Sequence, residues 1–212
     1  MCIRDSFLHY MDPHAPYGQR KPWCPHTKKS DCDSRCRYLS EIAFMDQEIE
    51  RLFTDMGWPD DTIVIVVSDH GEEFHEHGGV MHRYTVYQEL SRSALMLYVP
   101  GEAPRRSDLP AHHVDILPTI VEILDLDVPP ARDGIALMPA LEDATAKNRP
   151  VVTHRVQRGS GKSLWGLTFD NWRYIYEVPT GKVELYDIAA DPLEANEISA
   201  QHPDVVARAH ER

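Results

Sequence analysis

Thr62-Ile63-Val64-Ile65-Val66-Val67-Ser68-Asp69-His70-Gly71-Glu72 is the stretch that decides the fold class of this 212-residue chain. Its first six residues form an unbroken β-branched run, the pattern of a central strand buried on both faces of a parallel sheet. The residues that follow are polar, and in open α/β sheets ligands bind just beyond the carboxyl ends of the strands. Upstream, Leu39, Ile42, Ile49, Leu52, Phe53 and Met56 recur by threes and fours, so a helix runs from Tyr38 until Gly57 and Pro59 stop it. A helix leading into a buried strand predicts an α/β fold. Asp46 falls on the apolar face of that helix. A carboxylate buried there either bonds backbone in the core or points at a site, and the structural role is the expectation.

Downstream, Tyr84 to Leu90 reads as a short helix, and Ala94-Leu95-Met96-Leu97-Tyr98-Val99 as a second buried strand stopped by Pro100-Gly101. Helical spacing resumes from His113 to Leu126 through Val114, Leu117, Ile120, Val121 and Leu124, with Asp115 placed to cap and Pro118 tolerated in the first turn. Near the start, Phe7-Leu8-His9-Tyr10 reads as a short strand entering the turn Asp12-Pro13-His14-Ala15-Pro16. A strand there needs neighbours that nothing upstream supplies, so a truncated chain is expected, with Met1 to Ser6 not native. Gly18 to Arg37 lacks periodicity and reads as a long loop with six Lys or Arg against two Asp, a local +4.

After Leu141 the composition changes. Residues 142–150 are linker-like, and Leu164–Phe169 and Trp172–Glu177 flank Asp170-Asn171, a two-residue hairpin turn. Thr180-Gly181 turns the chain again into Val183–Asp187, and a short helix over Pro203–His210 would cover one face of the resulting antiparallel sheet. The boundary expected is residues 1–147 for the α/β part and 148–212 for a small antiparallel β subdomain with a helix.

The chain is 42% hydrophobic and 26% charged, which suits a folded globular protein. With 22 Lys plus Arg against 34 Asp plus Glu its net charge is −12, which argues against a nucleic-acid or anionic-membrane partner. The longest apolar run, Ile63–Val67, is far too short to span a bilayer, and no charged-then-apolar leader opens the chain. Cys2, Cys24, Cys32 and Cys36 leave both pairing and redox compartment open. Histidine is the unusual count, 12 in all, with His70, His75, His77 and His82 inside thirteen residues.

Asp69 and His70 leave the strand together, and Gly71 lets the backbone turn so that both can reach one cation; a carboxylate oxygen with an imidazole nitrogen suits several divalent metals. A capping Asp beside a hydrogen-bonded His is the competing account of these residues. His14 also follows a strand-like run, and His75, His77 and His82 follow the metal candidate. Cleavage of an ester at a tetrahedral oxyanion centre needs donors on the non-bridging oxygens and an acid for the leaving oxygen, which imidazoles supply near neutral pH.

Phe7 to Tyr17, with its Asp12-Pro13-His14-Ala15-Pro16-Tyr17, resembles a segment of the sulfatases, and Ser68-Asp69-His70-Gly71-Glu72 resembles that family's second metal motif. His77-Gly78-Gly79 with His82, Tyr87-Gln88-Glu89-Leu90, Val114-Asp115-Ile116-Leu117-Pro118-Thr119, Asp133-Gly134, Glu184-Leu185-Tyr186-Asp187 and Asp191-Pro192-Leu193-Glu194 follow in family order. The resemblance runs from Phe7 to about Ile198 and implies an alkaline-phosphatase-like fold, with residues 1–147 the C-terminal half of the catalytic α/β domain. It implies that Asp69 and His70 ligate a divalent cation, usually calcium, and that His14 contacts sulfate or the leaving oxygen. His82 becomes the second catalytic candidate and a sulfate ligand, and His77 a substrate contact, with His75 a lesser one.

The family's Cys-x-Pro-x-Arg or Ser-x-Pro-x-Arg motif, source of the formylglycine nucleophile, is absent: Cys2-Ile3-Arg4 and Cys24-Pro25-His26 both fail it. The resemblance therefore implies a C-terminal portion, inactive alone, whose nucleophile and remaining metal ligands lie upstream. The substrate implied is a small-molecule or glycan sulfate ester, and export to the periplasm or medium is the family habit; oligomeric state stays open. A phosphodiester or phosphonate ester hydrolase or a phosphoethanolamine transferase of the same superfamily is the alternative enzyme, and a non-catalytic remnant the alternative of another class. The basic loop, through Lys28, Lys29, Arg35 and Arg37, could steer an anionic substrate, and Arg155, Arg158 and Lys162 beside Gly159 and Gly161 form a second cluster of that kind.

Overall fold

The structure, a computed structural model, describes residues 5–24, 33–57, 61–127, 133–157 and 159–212. Cys2-Ile3-Arg4, Pro25, His26, Lys28, Lys29, Cys32, Pro59 and Arg158 lie outside the described residues. The chain divides into two compact units, Met1–Val66 with Met96–Gly101, and Val67–Leu95 with Glu102–Arg212.

The first unit holds helix α1, Ser34–Met56. It starts four residues before Tyr38 and takes up the end of the expected basic loop, because Asp33 caps it: its carboxylate accepts from the Cys36 amide at 2.7 Å. Gly57 ends it in the left-handed region at φ 52°. The side chains it buries are Ser40 and Glu41, which take the Arg20 and Gly18 amides at 3.1 and 2.7 Å. Asp46 is exposed, contrary to its expected structural role, because it shares a face with Leu39, seven residues earlier and itself 55% exposed. Phe7–Tyr10 is likewise irregular and exposed rather than a strand, since no described strand pairs with it.

Strands β1 (Val64–Val67) and β4 (Leu95–Tyr98) pair as a two-stranded sheet whose ends pass into the second unit. Neither is buried on both faces as the apolar runs suggested; β4 alternates, with Met96 and Tyr98 exposed. A continuous apolar run fixes a strand but not how many faces are covered.

In the second unit, β2 (Glu73–Phe74) and β3 (Val80–Met81) form a small antiparallel hairpin. Helix α2 is Gln88–Ser91, shorter than expected because Tyr87 is extended at φ −63°, ψ 167°. Helix α3, Ile116–Ile123, begins after a 3₁₀ turn at His113–Asp115. Asp115, fully buried, accepts from the His112 and Ile135 amides at 2.7 and 2.9 Å and from Arg149 Nη1 at 2.6 Å. Burial opposes its charge, but Arg149 and the two amides outweigh this and lower its pKa. Asp115 therefore bridges α3 to the strand region beyond it, where the sequence had assigned only a cap. Helix α4 is Leu137–Ala140, and a 3₁₀ turn at Ala144–Asn148 occupies the expected linker.

The C-terminal sheet is antiparallel in the order β5 (Val151–Gln157), β6 (Lys162–Phe169), β7 (Trp172–Val178), β8 (Lys182–Asp187). Asp170 and Asn171 both take positive φ, 47° and 65°, as the tightest right-twisting hairpin turn requires, and this fixes Phe169 opposite Trp172. One face presents Leu167, Tyr174 and Leu185, covered by Val205 and Ala209 of α5 (Pro203–His210). The opposite face presents Ile175, Tyr186 and Arg173, with Val86 packed against the first two.

Gly166 makes room for Arg173: a Cβ there would lie 2.5 Å from the Arg173 Nη2. Because that guanidinium is only 1% exposed, it has nowhere to retreat. Gly166→Ala is expected to cost about 1–3 kcal/mol in thermal unfolding; an unchanged melting temperature would show that Arg173 can shift.

Candidate active site

At the end of β1 the chain is pinned to the start of β4 by two bonds, Ser68 N to Ala94 O at 3.1 Å and Ala94 N to Ser68 Oγ at 2.8 Å. His113 Nε2–H donates to Ser68 O at 2.9 Å. Asp69 and His70 therefore emerge from a fixed point. Gly71 follows where only glycine fits, since a Cβ would lie 2.0 Å from the Glu89 carbonyl oxygen. Its amide donates to Leu90 O at 2.8 Å, hanging the loop on α2.

His70 Nδ1–H donates to Gly71 O at 2.8 Å, which leaves the lone pair on Nε2. That nitrogen lies 3.4 Å from Asp69 Oδ2, while Asp69 Oδ1 accepts from the His70 amide at 2.9 Å. The Asp69 carboxylate is 84% exposed, so it is not a buried structural cap. One oxygen and one imidazole nitrogen thus face outward together, their tautomer set by a backbone carbonyl, which is the donor set of one edge of a cation site. Among the described residues no third His, Cys, Asp or Glu joins them.

His82 stands beside His70, ring centroids 4.3 Å apart, and its Nδ1–H donates to Glu72 Oε1 at 3.1 Å. The Glu72 side chain is 5% exposed, so a buried carboxylate orients this imidazole. His77 sits differently. Nδ1–H donates to Glu89 Oε1 at 2.6 Å, Nε2–H donates to the Glu194 carbonyl at 3.0 Å, and the ring stacks on Tyr87 at 3.6 Å. Both nitrogens are spent on protein, so His77, expected at the substrate, is placed as a strut. His75 is exposed, its backbone at φ 73° closing a turn with Gly79. His14 belongs to the first unit; it is exposed, with Nδ1–H on Ala15 O at 2.7 Å. Of the expected site residues the structure brings together Asp69, His70 and His82, with His77 in the supporting loop.

Sequence reasoning missed the acidic scaffold. Glu73, 1% exposed, accepts from the His77 and Gly79 amides at 3.3 and 2.8 Å, and a Cβ on Gly79 would reach 2.4 Å from its Oε2. Gly79 carried that signal, because a Cβ there would collide with the carboxylate its amide binds, and Gly78 is glycine for another reason, its φ of 82°. Tyr87 and Tyr186 hydroxyls donate to Glu184 Oε2 at 2.7 and 2.9 Å. Burial and that carboxylate push both phenols up, while the Lys182 ammonium and the two hydroxyls overcome burial to lower the pKa of Glu184. Of the expected steering charges, Arg35 and Arg37 lie in the first turn of α1, with Arg37 Nε on Asp33 O at 3.2 Å.

The sulfatase family model matches residues 6–126. The chain belongs to the sulfatase family. It is similar to a choline-sulfatase of Rhizobium meliloti, 26% identical over 95% of this chain and 46% of that protein. The fold resembles a structure solved with its substrate D-glucosamine-2-N,6-O-disulfate, TM-score 0.69, 24% identity, covering 84% of this chain and 39% of that one. It also resembles a phosphonate monoester hydrolase from Silicibacter pomeroyi, TM-score 0.69, 21% identity, over 84% and 39%. The chain therefore spans less than half the length of these sulfatase-fold proteins, whose alkaline-phosphatase-like architecture it shares.

Burial opposes a charge on His77, but the Glu194 carbonyl and the Glu89 carboxylate outweigh it and raise its pKa. A group with a raised folded pKa stabilises fully below its ordinary value of 6.5 and loses that contribution as pH climbs through the folded value. The melting temperature is expected to fall as pH rises above 6.5, His77's ordinary value, and His77→Gln to flatten that slope. Parallel slopes for the two proteins would exclude His77 as the source.

Proposed function

We propose that this sulfatase chain contributes to hydrolysis of a sulfate ester, and the observation that carries the proposal is the Asp69 Oδ2–His70 Nε2 pair, 3.4 Å apart, with His82 beside it. The two donors fit a divalent cation: oxygen from an exposed carboxylate and nitrogen from an imidazole whose other nitrogen is tied to a carbonyl. Calcium is the cation the family suggests. Bound there, it would supply Lewis-acid polarisation of the sulfate oxygens. Asp69 and His70 hold their donor atoms at the strand end, and Gly71 keeps the loop against α2.

His82 is assigned to a sulfate oxygen or to the proton delivered to the departing alkoxide, and Glu72 orients its ring for either task. His14 is assigned to the same oxygens from its motif alone. The nucleophile is assigned to no residue of this chain. The substrate class is a sulfated small molecule or glycan, as the choline-sulfatase and the disulfated-glucosamine complex indicate for those relatives.

The full-length gene product is the protein to test, by calorimetric titration with calcium and by hydrolysis of an aryl sulfate and an aryl phosphonate ester. Asp69→Ala and His70→Ala are each expected to weaken calcium binding by about tenfold or more and to abolish sulfate release. His82→Ala should keep calcium affinity and lower kcat by about 10²- to 10⁴-fold. Cleavage of the phosphonate alone would move the chain to the hydrolase branch, and no calcium binding by the wild type would defeat the assignment.

A further inference from the structure

The residue after His82 is held from an unexpected side. Arg155 Nη2, on β5, donates to the Arg83 carbonyl at 2.5 Å. Beyond it, Tyr84, Arg155, Gln157, Lys162, Leu164 and Glu177 line a cleft of about 160 Å³. The register explains why the sheet residues meet: Arg155 lies opposite Leu164, Leu164 opposite Glu177, and Gln157 opposite Lys162. Directly opposed residues share a face, and alternate residues along a strand do too. All five therefore lie on the side of the sheet that presents Ile175 and Tyr186 to Val86, the side away from α5.

The chemistry of the cleft is specific. Arg155 spends one of its five donors on Arg83 O, which aims the guanidinium and leaves a fork suited to a planar or tetrahedral oxyanion. Lys162 Nζ lies 3.0 Å from Glu177 Oε1, so Glu177 is neutralised and the cleft keeps a surplus positive charge within an acidic protein. Tyr84 is 56% exposed and offers a ring face. Gln157 and Glu177 add hydrogen-bonding groups for hydroxyls. The volume is below the roughly 300–1,000 Å³ of a complete small-molecule site, so the cleft takes one group of a larger substrate. Tyr84 is two residues from His82, so their Cα atoms are at most about 7 Å apart, a span within the length of a doubly substituted sugar.

We propose that this cleft is a specificity subsite for a second oxyanion, sulfate or carboxylate, borne on a sugar-like ring, with Arg155 and Lys162 as its cationic contacts and Tyr84 as the ring's platform. The proposal rests on the sulfate-ester reading of the His82 site. The test compares the full-length protein with Arg155→Gln, Lys162→Gln and the double variant. Three probes are used: D-glucosamine 6-O-sulfate, D-glucosamine-2-N,6-O-disulfate and glucuronic acid 2-O-sulfate. Hydrolysis and calorimetric binding are both measured.

The double variant is expected to raise KM and Kd for the disulfated sugar by about 10- to 100-fold, the range for hydrogen bonds to charged groups, and to do so far less for the monosulfated one. A matching loss with the sulfated uronate would show that a carboxylate is accepted too; loss with the disulfate alone would restrict the site to sulfate. Lys162→Gln leaves the Arg83 tie intact, so its share of the loss separates anion contact from loop slackening. If Lys162→Gln is silent and Arg155→Gln lowers kcat equally on every probe, Arg155 is only a clamp and the proposal falls. If the wild type releases sulfate from neither these probes nor an aryl sulfate, the sulfatase reading fails, and equal binding of the disulfate to wild type and double variant overturns the cleft whichever way that reading stands.

Discussion

A guanidinium that cannot shed its proton lies 99% covered on the inner face of the C-terminal sheet, and the second unit is organised around that cost. Arg173 Nη1 donates to Thr168 Oγ1 at 3.0 Å, and Nη2 donates to the Val86 carbonyl and to Ser91 Oγ. Its Nε stands 3.7 Å from Glu194 Oε1, an ion contact rather than a hydrogen bond. Burial presses the arginine's pKa down and the glutamate's up, each toward its neutral form, and their mutual attraction opposes that pressure. Removing either partner would strand the other in a place without water. The Val86–Ser91 segment, the sheet and the turn at Glu194 consequently hold together as one piece.

The histidine loop inherits its rigidity from that piece. Glu194 Oε2 accepts from the Gln88 amide at 2.8 Å and its carbonyl takes His77. His77 in turn holds Glu89, and Leu90 O holds the amide of Gly71, one residue past the proposed cation ligand. A site whose reactive groups lie within fourteen residues, Asp69 to His82, thus depends on partners about a hundred residues later.

This division between local and remote also separates what could be read from the sequence from what could not. Asp170-Asn171 announces its turn because the chemistry is contained in the dipeptide, and Ser68-Asp69-His70-Gly71 marks a strand end because the apolar run stops there. Arg173, Glu73 and Glu194 carry no local sign of their burial, since nothing in their neighbourhood foretells a carbonyl 87 residues away or a loop that wraps a carboxylate. His77 and His82 are alike in type and setting; only the fold shows that one is consumed by Glu89 and Glu194 while the other faces His70. Met96 and Tyr98 mislead for the converse reason, because an apolar run says nothing about whether the second face is covered.

The chain's acidity poses a last physical question for the proposed substrate, because a sulfate ester approaching a chain of charge −12 would meet repulsion before it met a ligand. At physiological ionic strength that repulsion is screened beyond about 8 Å, so capture is decided by the charges of the immediate surroundings. Around His82 those charges are mixed but ordered. Glu72 and Glu73 lie buried beneath the loop with their charge spent on an imidazole and on amides, while Arg155 and Lys162 face solvent. Folding buries Glu72 and Glu73 and leaves Arg155 and Lys162 exposed, while the Asp69 carboxylate stays open where the cation is proposed. An acidic protein can in this way present a locally basic mouth to an anion.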